Sequence, residues 1–373
     1  MPYIQPLGSP DAPVWILLER PFPTDVPRGF LCSGGMGFSL QKCIEEGGLS
    51  LKDVYFICRR PDTDSPLATS SLFDQKIQQY KPPFMIAVGE IAQWLISECA
   101  PYNKVTWQTQ LNKQVGSLLR SSWPFPHYIL PILPIENMMM DYAEWNIAAH
   151  LDVGKIREEL IYFRKNGVHQ PLPQRTLISH EMDTEEILHH LDYLRFNRPE
   201  KNYISTDIET IYPRKGSEYH RKHPGLPVVL GLSPSPNWAI SFSLWRETHS
   251  ENVKLWRAVD SLLSEAYLIG QNFFLFDSVF LSALGFPLRK ERFADTMLRH
   301  HMLWPELSHK LQFMTRQYTR EPYYKDEGKT WNMKQLTGLR RYNALDAAVT
   351  FEVFEAQEQE FADRPHLKGE RVA

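Results

Sequence analysis

The stretch NYISTDIETIYPRKG, residues 202–216, places Asp207 and Glu209 one residue apart where an apolar, β-branched run ends. In an extended strand residues i and i+2 point to the same face, so the two carboxylates converge on one spot. Bare carboxylates so placed repel each other unless a positive charge lies between them. A divalent metal meets that need, and an exposed, solvated strand end is the plainer alternative. The spacing alone does not decide, because the chain carries 44 Asp and Glu among 373 residues. DTEE, residues 183–186, repeats it with an ordinary cause: Asp183 caps the helix TEEILHHLDYLRF, with Glu186 returning the bond from the third position.

If Asp207 and Glu209 hold a metal, further ligands should lie downstream, and two places offer them. LIGQNFFLFDSVFL, residues 268–281, runs a strand into Gly270-Gln271-Asn272 and sets Asp277 at a strand-to-helix junction after Phe276. LRRYNALDAAVTFEVF, residues 339–354, is a helix pattern in which Tyr342 and Asp346 sit four apart. That spacing stacks both side chains on one face, about 5 to 6 Å apart, with Val349 and Val353 continuing the stripe. Tyr203 and Asp207 have the same spacing, but on a strand they stand roughly 13 Å apart. Each piece also has a structural reading. Asp277 caps the helix SVFLSALG, Tyr342 is a core tyrosine with a satisfied hydroxyl, and Asp346 pairs on the surface with Arg340 or Arg341. The histidine pairs at 189–190 and 300–301 lie on helices with no matching partners and read as structural.

The chain as a whole narrows the classes. Lys and Arg number 41 against the 44 acids, a formal net charge of −3, so no global basic field calls for nucleic acid. An apolar fraction of 43% and 12% aromatics point to packed globular structure. No apolar run approaches the roughly 20 residues that span a bilayer, and MPYIQPLGSPDAP lacks the layout of a secretory signal, so a cytoplasmic protein without a membrane partner is expected. Cys32, Cys43, Cys58 and Cys99 are scattered without a C-x-x-C pair, which argues for reduced thiols and against a zinc ribbon or a disulfide framework.

The length allows two domains. Residues 1–165 alternate strand-like and helix-like runs: PVWILLE, SLQKCIEEGG, DVYFICRR, SLFDQKIQQYK, PFMIAVGEIAQWLISE, PHYILPILP and a long helix ending in ELIYFRK. That alternation predicts an α/β fold with a parallel sheet covered on both faces, three layers α/β/α. NGVHQPLPQ, residues 166–174, has no periodicity and two prolines, and marks the boundary. From 175 to 373 the strands RTLISH and NYISTDIE flank a helix, LPVVLGLSPSPNWAISFSL reads as a hairpin, and helices at about 251–266 and beyond alternate with AYLIGQN and RFADT. This predicts a mixed sheet with helices.

The order D-x-E, then N-x-x-x-F-D, then Y-x-x-x-D resembles the three motifs of the DEDDy superfamily of 3′–5′ exonucleases. DTMLRHHMLWPELSHKLQFMTRQYTREPYYKDEGKTW followed by YNALDAAVTFEVF is similar to the proofreading domain of family A DNA polymerases, especially phage and bacterial ones. The resemblance covers roughly residues 175–360. It implies a ribonuclease H-like fold, with Asp207, Glu209, Asp277 and Asp346 around two Mg²⁺ or Mn²⁺ ions and Tyr342 orienting the attacking water. Thr210, Asn272 and Phe276 would line the path of the 3′-terminal nucleotide. Oxygen-only ligands suit such hard cations, and two ions about 3.5 to 4 Å apart serve in-line phosphodiester hydrolysis. A tyrosine with a reference pKa of about 10 is a poor base at neutral pH, so Tyr342 positions the water while the metal activates it. The implied function is a DNA exonuclease that acts on single-stranded 3′ ends, releases nucleoside 5′-monophosphates and proofreads for a family A DNA polymerase, as part of it or as its partner. An RNA-trimming exonuclease and a non-catalytic DNA-holding module of a polymerase are the alternatives, since discrimination at a 2′-hydroxyl is not legible in the residues.

GFLCSGGMGFSLQKCIEEGGLSLKDVYFICRRP followed by KPPFMIAVGEIAQWLI resembles the uracil-DNA glycosylase superfamily over residues 10–155, closest to its iron–sulfur branch. The departures matter. Leu18-Glu19-Arg20-Pro21-Phe22 stands where that branch has Gly-Glu-Ala-Pro-Gly, and LPIENMM where it has His-Pro-Ser. Only Cys58 has a counterpart among the cluster cysteines, and one thiolate cannot hold a cluster that needs four. No iron–sulfur cluster and no glycosylase activity are expected. The implied use is binding DNA or a partner, with Arg59, Arg60 and the backbone of CSGGMG meeting phosphates.

Overall fold

A computed structural model of the chain describes residues 4–60, 68–92, 113–121, 127–140, 146–196, 202–211, 225–286, 288–325 and 336–364. The chain divides into two compact units, Met1–Leu172 with Arg320–Tyr323, and Pro173–Thr319 with Tyr324–Ala373. Each builds its own mixed sheet, and neither sheet closes into a barrel. No helix among the described residues is long and apolar enough to cross a membrane.

In the first unit, strands β1 (Val14–Leu18), β2 (Val54–Cys58), β3 (Phe84–Val88), β4 (Leu119–Ser121) and β5 (His127–Ile132) lie in the order β2-β1-β3-β5-β4. Every residue of β1, β2 and β3 is buried, as parallel strands covered on both faces require. Alternation sorts them. Val14, Ile16 and Leu18 face helices α1 (Gly35–Glu46) and α4 (Ile147–Asn166) through Leu40, Ile44, Val153 and Ile156. Trp15 and Leu17 face α2 (Ala68–Tyr80) through Phe73 and Ile77. A short helix, α3 (Ile135–Met140), follows β5. The expectation of an all-parallel sheet fails at one edge, where β4 pairs antiparallel with β5. Only residues 122–126 separate the two strands, too few for the crossover that parallel neighbours need.

The groups expected to meet phosphates in this unit are bonded internally. The fully buried Asp25 carboxylate accepts the N–H groups of Cys32 (2.7 Å) and Gly34 (2.8 Å). Glu19 pairs with Arg60 at 2.9 Å and with Arg59 at 3.4 Å. Cys32, Cys43 and Cys58 are buried and free. Burial pushes the Cys43 and Cys58 thiols up to about 12, which makes them inert at neutral pH. Cys99 lies outside the described residues.

The second unit's strands are β6 (Thr176–Ile178), β7 (Tyr203–Ile211), β8 (Leu226–Ser235), β9 (Trp238–Ser243), β10 (Tyr267–Gly270) and β11 (Phe293–Asp295), in the order β11-β10-β7-β8-β9-β6. β7, β8 and β9 form an antiparallel meander that turns between β8 and β9 at Pro236–Asn237, while β6, β10 and β11 run parallel to their neighbours. Along β7, Ile204 and Ile208 enter a core with helices α5 (Thr184–Phe196) and α6 (His249–Glu265), whose Leu191, Leu255, Val259 and Leu262 are each buried to 1% exposure or less. Each such side chain contributes about 1.5–3 kcal/mol. The other face carries Tyr203, which packs with Phe351 and Phe354 of the long helix α10 (Thr337–Asp363), preceded in the chain by α8 (Thr296–Leu303) and α9 (Leu311–Tyr318). Small residues let α10 come close: Ala239 meets Ala344 and Ala348. A Cβ on Gly231 would stand 2.5 Å from the Asn343 Oδ1. Asp207 and Glu209 share parity with Tyr203 and therefore face α10, not the apolar core.

Candidate metal centre

β7 pairs with β10 only as far as Ser205 opposite Ile269, so the next N–H groups along that edge need other acceptors. Asp277, 2% exposed at the start of helix α7 (Asp277–Ala283), supplies one: its Oδ1 accepts the Ile208 N–H at 2.9 Å. The turn leading to α7 is pinned by Asp295, whose carboxylate accepts the N–H groups of Asn272 (3.0 Å), Phe274 (3.1 Å) and Met297 (2.9 Å). Asn272 sits at φ 57°, a left-handed conformation that asparagine tolerates better than most residues. On α10, Asn343 is fully buried and donates to the Asp207 carbonyl (3.0 Å) and Oδ2 (2.7 Å), while its own Oδ1 accepts from Ser241 at 2.7 Å. This fixes the orientation of the Asp207 carboxylate.

Asp207, Glu209 and Asp346 each present a carboxylate oxygen, and these oxygens lie within 4.8 Å of one another. Burial first, and then the Asp346 carboxylate, pushes Asp207 up to about 8, against the lowering influence of Lys325 and Asn343. Burial, then Asp207 and Asp346, pushes Glu209 up to about 9. Asp277 stands close enough to Asp207 that burial and that neighbour raise it well above the usual carboxylate range. Burial and the same carboxylates hold the Tyr342 hydroxyl above its ordinary value, so it stays protonated. Among the described residues one ammonium enters the group. Lys325 Nζ donates to Asp346 Oδ2 (2.6 Å) and Oδ1 (2.7 Å) and to the Tyr342 hydroxyl (3.0 Å). The Tyr324 hydroxyl donates to Asp346 Oδ1 at 2.6 Å. With this ammonium shared among them, the carboxyl groups can ionise together only if further positive charge arrives. The donor set, oxygen throughout, fits a hard divalent cation such as Mg²⁺ or Mn²⁺.

Of the residues singled out in the sequence, Asp207, Glu209, Asp346 and Tyr342 come together. Asp277 lies beside Asp207, outside the tight group of three. Thr210 is half-buried just past a register shift in the β7–β8 ladder, and Phe276 is half-buried with its ring 5.0 Å from Phe280. Several plainer readings are corrected. Asp346 pairs with Lys325, not with Arg340, whose guanidinium is buried against the Ser179 carbonyl and Glu181. Asp183 does cap α5 through the Glu186 N–H, but the Glu186 carboxylate turns to His180. His300 and His301 do have a partner: His309 bonds both, at 2.8 and 2.9 Å, and Gln317 holds the far side of His300 at 2.8 Å. Burial lowers His300 to about 4, which marks a neutral structural chain. His309 stands outside the helix that carries the pair, so helical periodicity gives no sign of it. Sequence reasoning also missed Asn343, Asp295, Tyr324 and Lys325 as parts or supports of the site.

No protein-family model matches the chain, and no curated protein matches it. Solved structures similar to it include the catalytic core of RRP6 from Trypanosoma brucei, at 14% identity over 53% of this chain and 52% of that one, with a TM-score of 0.40. The Aedes aegypti Nibbler EXO domain matches at 15% identity over 50% of this chain and 88% of that one, TM-score 0.36. Brucella melitensis NrnC matches at 17% identity over 46% and 78%, TM-score 0.33. The chain spans about half the length of the RRP6 core that it matches, 52%.

Proposed function

We propose that residues 175–373 form a ribonuclease H-like, metal-dependent 3′–5′ DNA exonuclease of the DEDDy type, which releases nucleoside 5′-monophosphates and proofreads for a DNA polymerase. The observation that carries this is the convergence of the Asp207, Glu209 and Asp346 oxygens within 4.8 Å, with the Tyr342 hydroxyl against them. Asp207, Glu209, Asp346 and the adjacent Asp277 would hold Mg²⁺ or Mn²⁺. Bound there, divalent cations supply hydroxide at neutral pH and stabilise the departing 3′-oxygen. The chain's own groups do the positioning. Tyr342, kept protonated, orients the attacking water and does not take its proton. Asn343 locks the Asp207 carboxylate, and Asp277 ties the start of α7 to β7. Thr210, Asn272 and Phe276 border the 3′-terminal nucleotide. Residues 1–165 are assigned as a uracil-DNA glycosylase-like module that has lost its chemistry and contributes affinity for DNA or for a polymerase.

Incubating the full chain with end-labelled single- and double-stranded DNA and RNA, in Mg²⁺, Mn²⁺ or EDTA, tests the proposal. Shortening of single-stranded DNA from the 3′ end, stopped by EDTA, is expected. Degradation from the 5′ end, or undiminished activity in EDTA, contradicts it, and trimming of RNA alone moves the assignment to the RNA-trimming alternative. Uracil-containing DNA in the same assay should acquire no abasic sites; their appearance would restore glycosylase chemistry to the first module.

A further inference from the structure

Among the described residues, Lys325 is a charged group against these carboxylates for which the proposed hydrolysis has no role. Its side chain is 17% exposed, and its contacts account for all three ammonium protons: both Asp346 oxygens at 2.6 and 2.7 Å and the Tyr342 hydroxyl at 3.0 Å. The ammonium also lies 5.2 Å from the Tyr324 ring centroid and 4.9 Å from that of Tyr342, faces that attract cations. The cradle is shared with the candidate ligands. Asp346 Oδ1 accepts from both Lys325 and Tyr324, and Oδ2 accepts from Lys325, so most of the carboxylate's lone pairs are engaged and a metal that takes Asp346 meets the ammonium beside it.

We propose that Lys325 is a resident counter-ion of the carboxylate centre, which holds Asp346 in the metal-free protein and competes with the divalent cation for it. This rests on the metal-centre assignment above and deepens it by naming what regulates metal entry. Two consequences follow from charge alone. The lysine weakens metal binding, because the ion pair with Asp346 is given up when the metal arrives. It also steadies the metal-free fold, because its charge offsets part of the cost of holding Asp207, Glu209 and Asp346 together. A divalent ion prevails over the ammonium by its higher charge and by engaging Asp207 and Glu209 together with Asp346.

The test is Mn²⁺ titration by calorimetry of the full-length wild type, Lys325→Met and Lys325→Gln, with thermal unfolding recorded with and without Mn²⁺ and circular dichroism to check folding. Both variants should bind Mn²⁺ about tenfold more tightly, the effect of one charge on a closely coupled site. Both should show a larger Mn²⁺-induced rise in Tm than the wild type. A Lys325→Met chain unfolded in the absence of metal but folded by Mn²⁺ is the same result in its extreme form. Equal or weaker Mn²⁺ affinity in both variants, with a wild type that binds, overturns the counter-ion role and leaves the metal centre standing. Absence of Mn²⁺ binding in all three chains overturns both. Tighter binding in the variants beside a chain that cleaves no nucleic acid supports the counter-ion role while removing the exonuclease assignment.

Discussion

Buried acids occur in both units, and they are neutralised in opposite ways. Asp25 in the first unit has no exposed surface, and the N–H groups of Cys32 and Gly34 satisfy it; Glu19 nearby in sequence has Arg59 and Arg60. Such acids tie a turn or a loop and ask for nothing further. In the second unit Asp207, Glu209 and Asp346 converge, with one ammonium against them among the described residues, and the first two are pushed far above the carboxylate range. A buried acid that owns its partners holds the fold together. Crowded acids that share too little positive charge are, in the function proposed above, a binding site, and the fold carries the strain of keeping them together.

Mutation should break that comparison most visibly. Asp207→Ala combined with Glu209→Ala is expected to reduce 3′-end cleavage by about a thousandfold or more, while leaving the Tm of the metal-free protein unchanged or higher, since two crowded, desolvated carboxyl groups are gone. Asp25→Ala should do the reverse. Leaving two buried N–H groups without their acceptor costs about 2–4 kcal/mol of stability, read in a denaturant titration, with no direct loss in the folded fraction's cleavage rate. A double variant less stable than Asp25→Ala would erase the distinction.

The contrast also predicts a pH dependence. Burial and the neighbouring carboxylates push Asp207 up to about 8 and Glu209 up to about 9, from the ordinary 3.8 and 4.5. The folded protein therefore binds more protons than the unfolded chain between those limits. Their contribution to stability is intact below about pH 4 and is lost as pH rises through 8 to 9. Thermal unfolding of the metal-free wild type should show Tm falling over that window relative to the Asp207→Ala, Glu209→Ala variant. Mn²⁺ should flatten the difference. A Tm difference independent of pH would mean that the pair is not strained.

The smallest expected effect is at Tyr342. Removing its hydroxyl by Tyr342→Phe should slow cleavage about ten- to a hundredfold, the scale of a group that positions a reacting water, without weakening Mn²⁺ binding in calorimetry. Wild-type cleavage rates would remove the positioning role.

Much of this arrangement was legible because local periodicity encodes it. The two-residue period of β7 puts Asp207 and Glu209 on one face, and the helical turn between Tyr342 and Asp346 puts both on the face of α10 that meets that strand. What stayed hidden depends on distant partners. Lys325 lies outside any helix or strand and meets Asp346 21 residues on, so no local spacing signals it. Asn343 reaches Asp207 across 136 residues and looked like an ordinary helix position, although a polar residue inside an apolar helix stripe was the available hint. Asp295 carried a usable signal, an aspartate just before the helix that begins at Thr296, which the strand reading of RFADT obscured. β4 is three residues long and has no pattern from which its direction could be read.

The most direct test of the central claim is anomalous diffraction from crystals of the full chain soaked in Mn²⁺. The account predicts a manganese peak bonded to carboxylate oxygens of Asp207, Glu209 and Asp346, at about 2.1 Å as for a hard octahedral cation, with Lys325 withdrawn from Asp346 and no peak at Asp25. Manganese absent from the three carboxylates, or bound elsewhere while Lys325 stays on Asp346, would contradict it.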